Sequence, residues 1–281
     1  MPSLEILRPG LLSSIQDRGR RGLAYYGIPR SGAMDARSAR RALRLLGMPE
    51  DAPLLECTAV APQLRFRDPV RIALCGADFG WQLDGQPAVR DAVLQVRSGQ
   101  VLSGGPAREG LRGYIALQGI FDVPRVYGSC ATYPPAGIGR LLQAGDVLHW
   151  RDAERILPGE ILPPEPLTRP LIPLRPGPEY DLLSPDSQKQ LVQHPYRLRP
   201  DSNRMGARLE GLRLEARAHQ LPLSVPVLPG FVQLPPDGRP IVILQDGQTT
   251  GGYPRIAYIR EAELAAFNQI PLGGRVRFRW E

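Results

Sequence analysis

The sequence predicts a mainly β protein of mostly antiparallel barrels with a few short helices, and three observations predict it. Short apolar runs rich in β-branched residues recur along the chain, each bounded by Gly, Pro or Asp, which is the pattern of strands in tight-turned sheets. Glycine (30) and proline (31) are abundant among 281 residues, yet 42% of the chain is hydrophobic, enough for a packed core. The runs do not alternate with long helical patterns, which argues against a parallel βαβ sheet.

In chain order the strand-like runs are LEILR from Leu4, VRIALCG from Val70, AVLQV from Ala92, RGYIALQG from Arg112 and DVLHW from Asp146. RPIVILQDG from Arg239, PRIAYI from Pro254 and GRVRFRW from Gly274 follow in the second half. One helix is well marked: Asp35 can cap it, Ala39, Ala42, Leu43 and Leu46 share one face, and Arg37, Arg40, Arg41 and Arg44 face outward. Gly47 and Pro49 end it. Further helices are expected near Ser187–Val192 and Glu261–Phe267. Prolines crowd the stretch from 156 to 178, which reads as a stiff, extended connector between a domain at 1–155 and another at 179–281.

Composition also excludes chemistry. The formal charge is +7, but the cations are scattered arginines with no run of four, so no nucleic-acid stripe is expected. The only lysine is Lys189, in SQKQ, and no GxxxxGK[ST] motif exists, so the chain has no P-loop for ATP and no typical biotin lysine. Cys57, Cys75 and Cys130 are far apart, as are His149, His194 and His219, so no metal site is expected and the thiols read as buried and reduced. There is no GxSxG elbow. The N-terminal MPSLEILRPG lacks a signal-peptide pattern and no run is long enough to span a membrane, so a cytoplasmic protein is expected.

The densest polar cluster runs from Asp246 through Gln248, Thr249, Thr250, Gly251, Gly252 and Tyr253 to Pro254, directly after the strand IVILQ. Its glycines permit close backbone approach to a ligand, Asp246 offers a base or anchor, and Gln and Thr side chains can orient an amide or carboxylate. Asp, Thr and Gly also make ordinary turns between strands, and both readings stand. Gln233, before the PPDG turn, lies on the apolar side of its run and needs a partner if buried. Gln16, Asp17, Gly19 and Arg20 open a polar loop leading to the Asp35 helix; the plain alternative is a solvated loop with an Asp17–Arg20 pair.

The order QDRGR, GIPRSGAMD, Leu55–Thr58, LCGAD, VYGS, Ser202–Gly206, QLPPDG and DGQTTGGYP is spread over the whole chain. It resembles the family that holds the C subunit of 5-oxoprolinase, allophanate hydrolase subunit 2 and biotin-dependent carboxyltransferases. The resemblance implies two cyclophilin-like β-barrels and action beside A-like and B-like subunits, opening the cyclic amide 5-oxoproline to glutamate with ATP that a partner subunit binds or shares. Alternatives within the resemblance are carboxyl transfer from biotin carried by another chain or domain, and non-catalytic binding of a B-subunit-like kinase inhibitor. Residue type and position within these motifs nominate Asp246 and Asp17 as catalytic carboxylates, with Gln16, Arg20, Arg204, Gln233, Gln248, Thr249, Thr250, Gly252 and Tyr253 binding substrate. Arg20 or Arg204 would hold a carboxylate or carboxyphosphate-like group. The sequence departs from the family pattern at Leu43, Met48, Ile120, Asn203 and Cys130, the last replacing an arginine in Gly128–Thr132.

Overall fold

The computed structural model describes residues 1–153, 163–164, 166–169, 171–218, 221 and 223–281. Much of the proline-dense stretch and His219 therefore lie outside the described residues. The chain forms two compact units, Met1–Arg20 with Ser31–Leu167 and Arg21–Arg30 with Thr168–Glu281.

The first unit holds two sheets. One runs in the order Leu12–Gln16, Leu54–Thr58, Glu109–Leu117, Val70–Asp78, Val93–Val96. The other is centred on Val147–Arg151, Ser3–Arg8, Gln63–Phe66 and Val101–Ser103, with two-residue strands at its edges. Ile6, Leu64, Phe66, Ile72, Leu74 and Trp150 belong to one buried apolar cluster, because alternate residues of each strand point inward. Helix α1, Ala36–Leu45, packs Ala39, Ala42 and Leu43 into a second cluster with Ala73, Tyr114 and Ala116. Its N-terminus is capped as the sequence predicts: Asp35 accepts from the backbone N–H groups of Arg37 and Ser38, both at 3.1 Å.

The second unit is a closed barrel of Leu171–Pro176, Arg255–Tyr258, Phe231–Gln233, Ile241–Ile243, Gly206–Glu210, Tyr196–Leu198 and Arg275–Trp280. Most pairs are antiparallel; the seam, Leu171↔Arg277 through Leu174↔Trp280, is parallel. Leu171–Pro176, within the stretch expected to be connector, is thus barrel wall, with Pro173 opposite Arg279 in the seam. Ile172, Leu174, Leu209, Val242, Ile256 and Phe278 fill the interior. Helices α2, Pro185–Gln193, and α3, Glu261–Phe267, fall where the sequence places them. The PPDG turn joins Phe231–Gln233 to Ile241–Ile243, with Gly238 N–H donating to the Pro235 carbonyl at 3.0 Å.

One half-buried ion pair fastens the barrel wall. Glu179 accepts from the backbone N–H (2.9 Å), Nε (2.9 Å) and Nη2 (2.6 Å) of Arg255, whose guanidinium also lies 5.2 Å from the Phe231 ring centroid. The Arg255 hydrogen bonds hold the Glu179 carboxyl below its ordinary value. A lowered folded-state value adds stability above the unfolded carboxylate range and loses it as pH falls through the folded value. Glu179→Gln is therefore expected to cost about 2 kcal/mol at neutral pH. Denaturant melts of variant and parent across pH should converge as the pH drops below 4.5, the ordinary Glu value.

Candidate functional site

In the first unit the loop at Gln16–Arg20 is buried rather than solvated. Asp17 is 6% exposed, Arg20 2% and Gln16 0%. The Asp17 carboxylate accepts from Gly19 N–H (2.8 Å), Ser129 Oγ (2.6 Å) and Cys130 N–H (2.6 Å). Arg20 Nη2 donates to the Ala131 carbonyl. Gln16 Nε2 donates to Ser14 Oγ at 2.9 Å and to the Thr132 carbonyl at 3.4 Å. Gln16, Asp17 and Arg20 thus all grip one segment, Ser129–Thr132, which the sequence alone does not place in the site. The clue lies in VYGS and in the departure at Cys130, whose backbone N–H is the part used.

The same loop is clamped from below. Ala33 N–H donates to the Asp17 carbonyl at 2.9 Å. A Cβ on Gly32, at φ +85°, would fall 2.7 Å from Gly19 N and 2.9 Å from Asp17 O, so this crossing accepts glycine alone. Met34 N–H (2.8 Å) and the Tyr114 hydroxyl (2.8 Å) donate to buried Glu56, and Tyr114 accepts from Asp35 N–H at 2.7 Å. Burial, with the Glu56 and Asp35 carboxylates, pushes the Tyr114 phenol well above its ordinary value, so it stays a neutral donor. Asp35 is spent on the helix cap and this network, as its position in the sequence suggests.

In the second unit the Ser202–Gly206 turn and the Asp246 loop are fastened together. Asn203 Oδ1 accepts from Met205 N–H at 2.8 Å, so the departure to Asn keeps the oxygen that shapes the turn. Arg204 then donates from Nε to Asp246 Oδ2 (2.8 Å) and from Nη2 to Oδ1 (3.2 Å), while Asp246 N–H donates to the Arg204 carbonyl at 2.9 Å. The side chains are 11% and 6% exposed, a two-point pair that fixes the guanidinium plane.

Gln233 finds the partner its burial demands. Its Nε2 donates to the Tyr253 carbonyl at 3.4 Å, and its Oε1 accepts from Gln248 Nε2 at 3.2 Å. Thr250–Gly251 forms a short strand against Val225–Pro226, so part of the polar run is sheet. The carbonyls of Thr249 and Gly252 are taken by the N–H groups of Val227 and Leu221 at 2.8 and 2.7 Å. The run presents Gln248, Thr250 and the Tyr253 ring at the surface, above buried Gln233, Gln245 and Asp246. Such a surface offers amide donors and acceptors and a fixed cation–anion pair. Among the described residues there is no group of His, Cys, Asp and Glu that could hold a metal. Cys57, Cys75 and Cys130 are free and buried, and burial pushes each thiol up, so none is a ready nucleophile.

A two-sheet unit and a closed barrel carrying these two polar loop systems define a carboxyltransferase-type module. The chain belongs to the family described as carboxyltransferase domain, subdomain A and B, whose model matches residues 26–280. It is 38% identical over 280 residues to the C subunit of 5-oxoprolinase from Haemophilus influenzae, covering 98% of this chain and 90% of that protein. It is 39% identical over 279 residues to the C subunit of 5-oxoprolinase from Escherichia coli, with the same coverage. Among solved structures, the K. lactis urea amidolyase superposes with a TM-score of 0.91 at 28% identity, over 98% of this chain but only 18% of that one.

Two outcomes test this geometry. Asp17→Ala strips the acceptor from two backbone N–H groups and a hydroxyl, and is expected to lower stability by about 3 kcal/mol in denaturant melts. Gly251→Ala places a methyl 2.8 Å from Gln233 Nε2. Displacing that amide is expected to cost about 1–3 kcal/mol, read as a lowered Tm.

Proposed function

We propose that this chain is the C subunit of an ATP-dependent 5-oxoprolinase, working in the cytoplasm with A-like and B-like subunits to open 5-oxoproline to glutamate. The observation that carries the reading is the Gln233–Gln248 pair beside the Arg204–Asp246 pair. One can match the donor and acceptor of a cyclic amide; the other keeps a cation in place for a carboxylate or a developing oxyanion. Similarity to two 5-oxoprolinase C subunits over nearly their whole length supports it.

The net change cleaves the ring C–N bond and delivers water's oxygen to the carbonyl carbon, with ATP hydrolysis supplying the driving force. The residues do not fit ATP, since the chain lacks a P-loop and its one lysine, Lys189, is on α2 in a polar setting. In this reading the nucleotide is bound by, or shared with, a partner subunit. This chain's own part is orientation: Gln248, held from beneath by buried Gln233, meets the amide plane, and Asp246 fixes the Arg204 guanidinium. In the second unit Asp246 is the carboxylate assigned to this chemistry; Asp17 and Arg20, committed to Ser129–Ala131 in the first unit, serve there as framework.

Carboxyl transfer from biotin is the second reading, favoured by the backbone match to urea amidolyase. Lys189 sits inside a helix without flanking methionines, so in that reading biotin too arrives on another chain or domain.

The test is glutamate formation from 5-oxoproline and ATP by the chain co-purified with its native partners, with the chain alone as control. Glutamate from the complex and none from the chain is the expected result. A stable complex that forms no glutamate would sink the reading. Gln248→Ala is expected to lower kcat/KM about tenfold and to lower Tm modestly, since buried Gln233 Oε1 loses its donor.

A further inference from the structure

A cavity of about 390 Å³ opens in the second unit, beside the polar run and sharing only Tyr253 with it. Leu209, Pro235, Pro240 and Ile241 form apolar wall, and Tyr253 stands at one side. Three arginines, Arg199, Arg208 and Arg239, also line it, against one lining acid, Asp237. Arginines lining a proline-walled hollow give it a positive potential that favours an entering anion.

The arginines are differently committed. Arg199 is held edge-on by Asp201, Nε to Oδ1 and Nη2 to Oδ2, both at 2.9 Å, leaving Nη1 outside that fork. Arg208 Nε lies 3.9 Å from the same carboxylate, with its side chain 55% exposed. Arg239 has its backbone N–H fixed to Asp237 Oδ1 at 3.1 Å, while its buried Nε has no hydrogen-bond partner among the described residues. A buried guanidinium N–H left without an acceptor beside a hollow this size points to a missing acceptor.

We propose that this cavity binds a small carboxylate carried on a compact apolar ring, with Arg239 and Arg208 meeting the carboxylate and the proline–Tyr253 wall meeting the ring. The planar two-oxygen anion suits guanidinium forks, and rigid proline walls lose little freedom when a ring packs on them. Tyr253 connects the cavity to the polar run: it lines the cavity, and its carbonyl accepts from Gln233. The choice of 5-oxoproline as a probe rests on the function proposed above; the carboxylate class rests on the cavity alone.

The experiment is calorimetric titration of the full chain, without partners, with 5-oxoproline, cyclopentanecarboxylate, uncharged 2-pyrrolidinone and inorganic phosphate. Both ring carboxylates are expected to bind, with 2-pyrrolidinone and phosphate weaker by about tenfold or more. Arg239→Gln and, at an exposed position, Arg208→Gln should each weaken the carboxylates about tenfold, whereas Arg97→Gln in the first unit should not. Binding of cyclopentanecarboxylate but not 5-oxoproline would uphold the cavity as a ring-carboxylate site separate from the proposed reaction, which the glutamate assay on the complex tests by itself. The inference is overturned if neither carboxylate binds, if phosphate or 2-pyrrolidinone binds equally well, or if both arginine variants bind like the parent.

Discussion

The Asp17 carboxylate, buried and accepting hydrogen bonds from Gly19, Ser129 and Cys130, is the interaction on which the loop layer of the first unit depends. A buried carboxylate is tolerable only when its oxygens are met by donors, and here the donors come from chain segments more than a hundred residues apart. Satisfying Asp17 therefore fixes the path of Ser129–Thr132, which in turn receives Gln16 and Arg20. The Gly32 crossing and the Glu56–Tyr114 network then hold the opposite side of the same loop. Polar groups that read as surface in the sequence become the interior framework of a site.

The second unit solves a similar problem with a different pairing. Its polar run is anchored by backbone bonds to Val227, Leu221 and Arg204, which leaves the side chains of Gln248, Thr250 and Tyr253 for a ligand. The burial of Gln233 beneath them matters as much as their exposure. An amide already tied to Gln248 and to the Tyr253 carbonyl transmits the position of the barrel strand to the surface residues.

Much of this was legible in the sequence where one physical rule dominated. Val70–Asp78 and Arg275–Trp280 are β-branched or aromatic runs between breakers, and Asp35 with the Ala39–Leu46 spacing left little freedom for α1. The motif order over the whole chain pointed to the family to which the chain belongs. Leu12–Gln16 was not legible, because its serines are buried by local bonds such as Ser13 Oγ to the Pro9 carbonyl, which breaks the alternation expected of a half-buried strand. Nor was the grouping of Arg21–Arg30 with the second unit, where Arg30 meets Glu261 at 2.9 Å, since no local pattern encodes a contact across more than two hundred residues. The arginine cavity was hidden for the same reason: Arg199, Arg208 and Arg239 converge only once the barrel strands are in register.

The parallel seam of the barrel sets an order of events. Leu171 cannot meet Arg277 until about a hundred further residues have been synthesised, and loop closure over such a span is slow. During translation the first unit has all of its strands long before the barrel can close, so it is free to fold as a module while the second waits with an open edge. That edge, Leu171–Leu174, carries a proline at Pro173, which cannot donate to a stray strand. The proline that makes the seam unusual as a strand also guards it while it is unpaired.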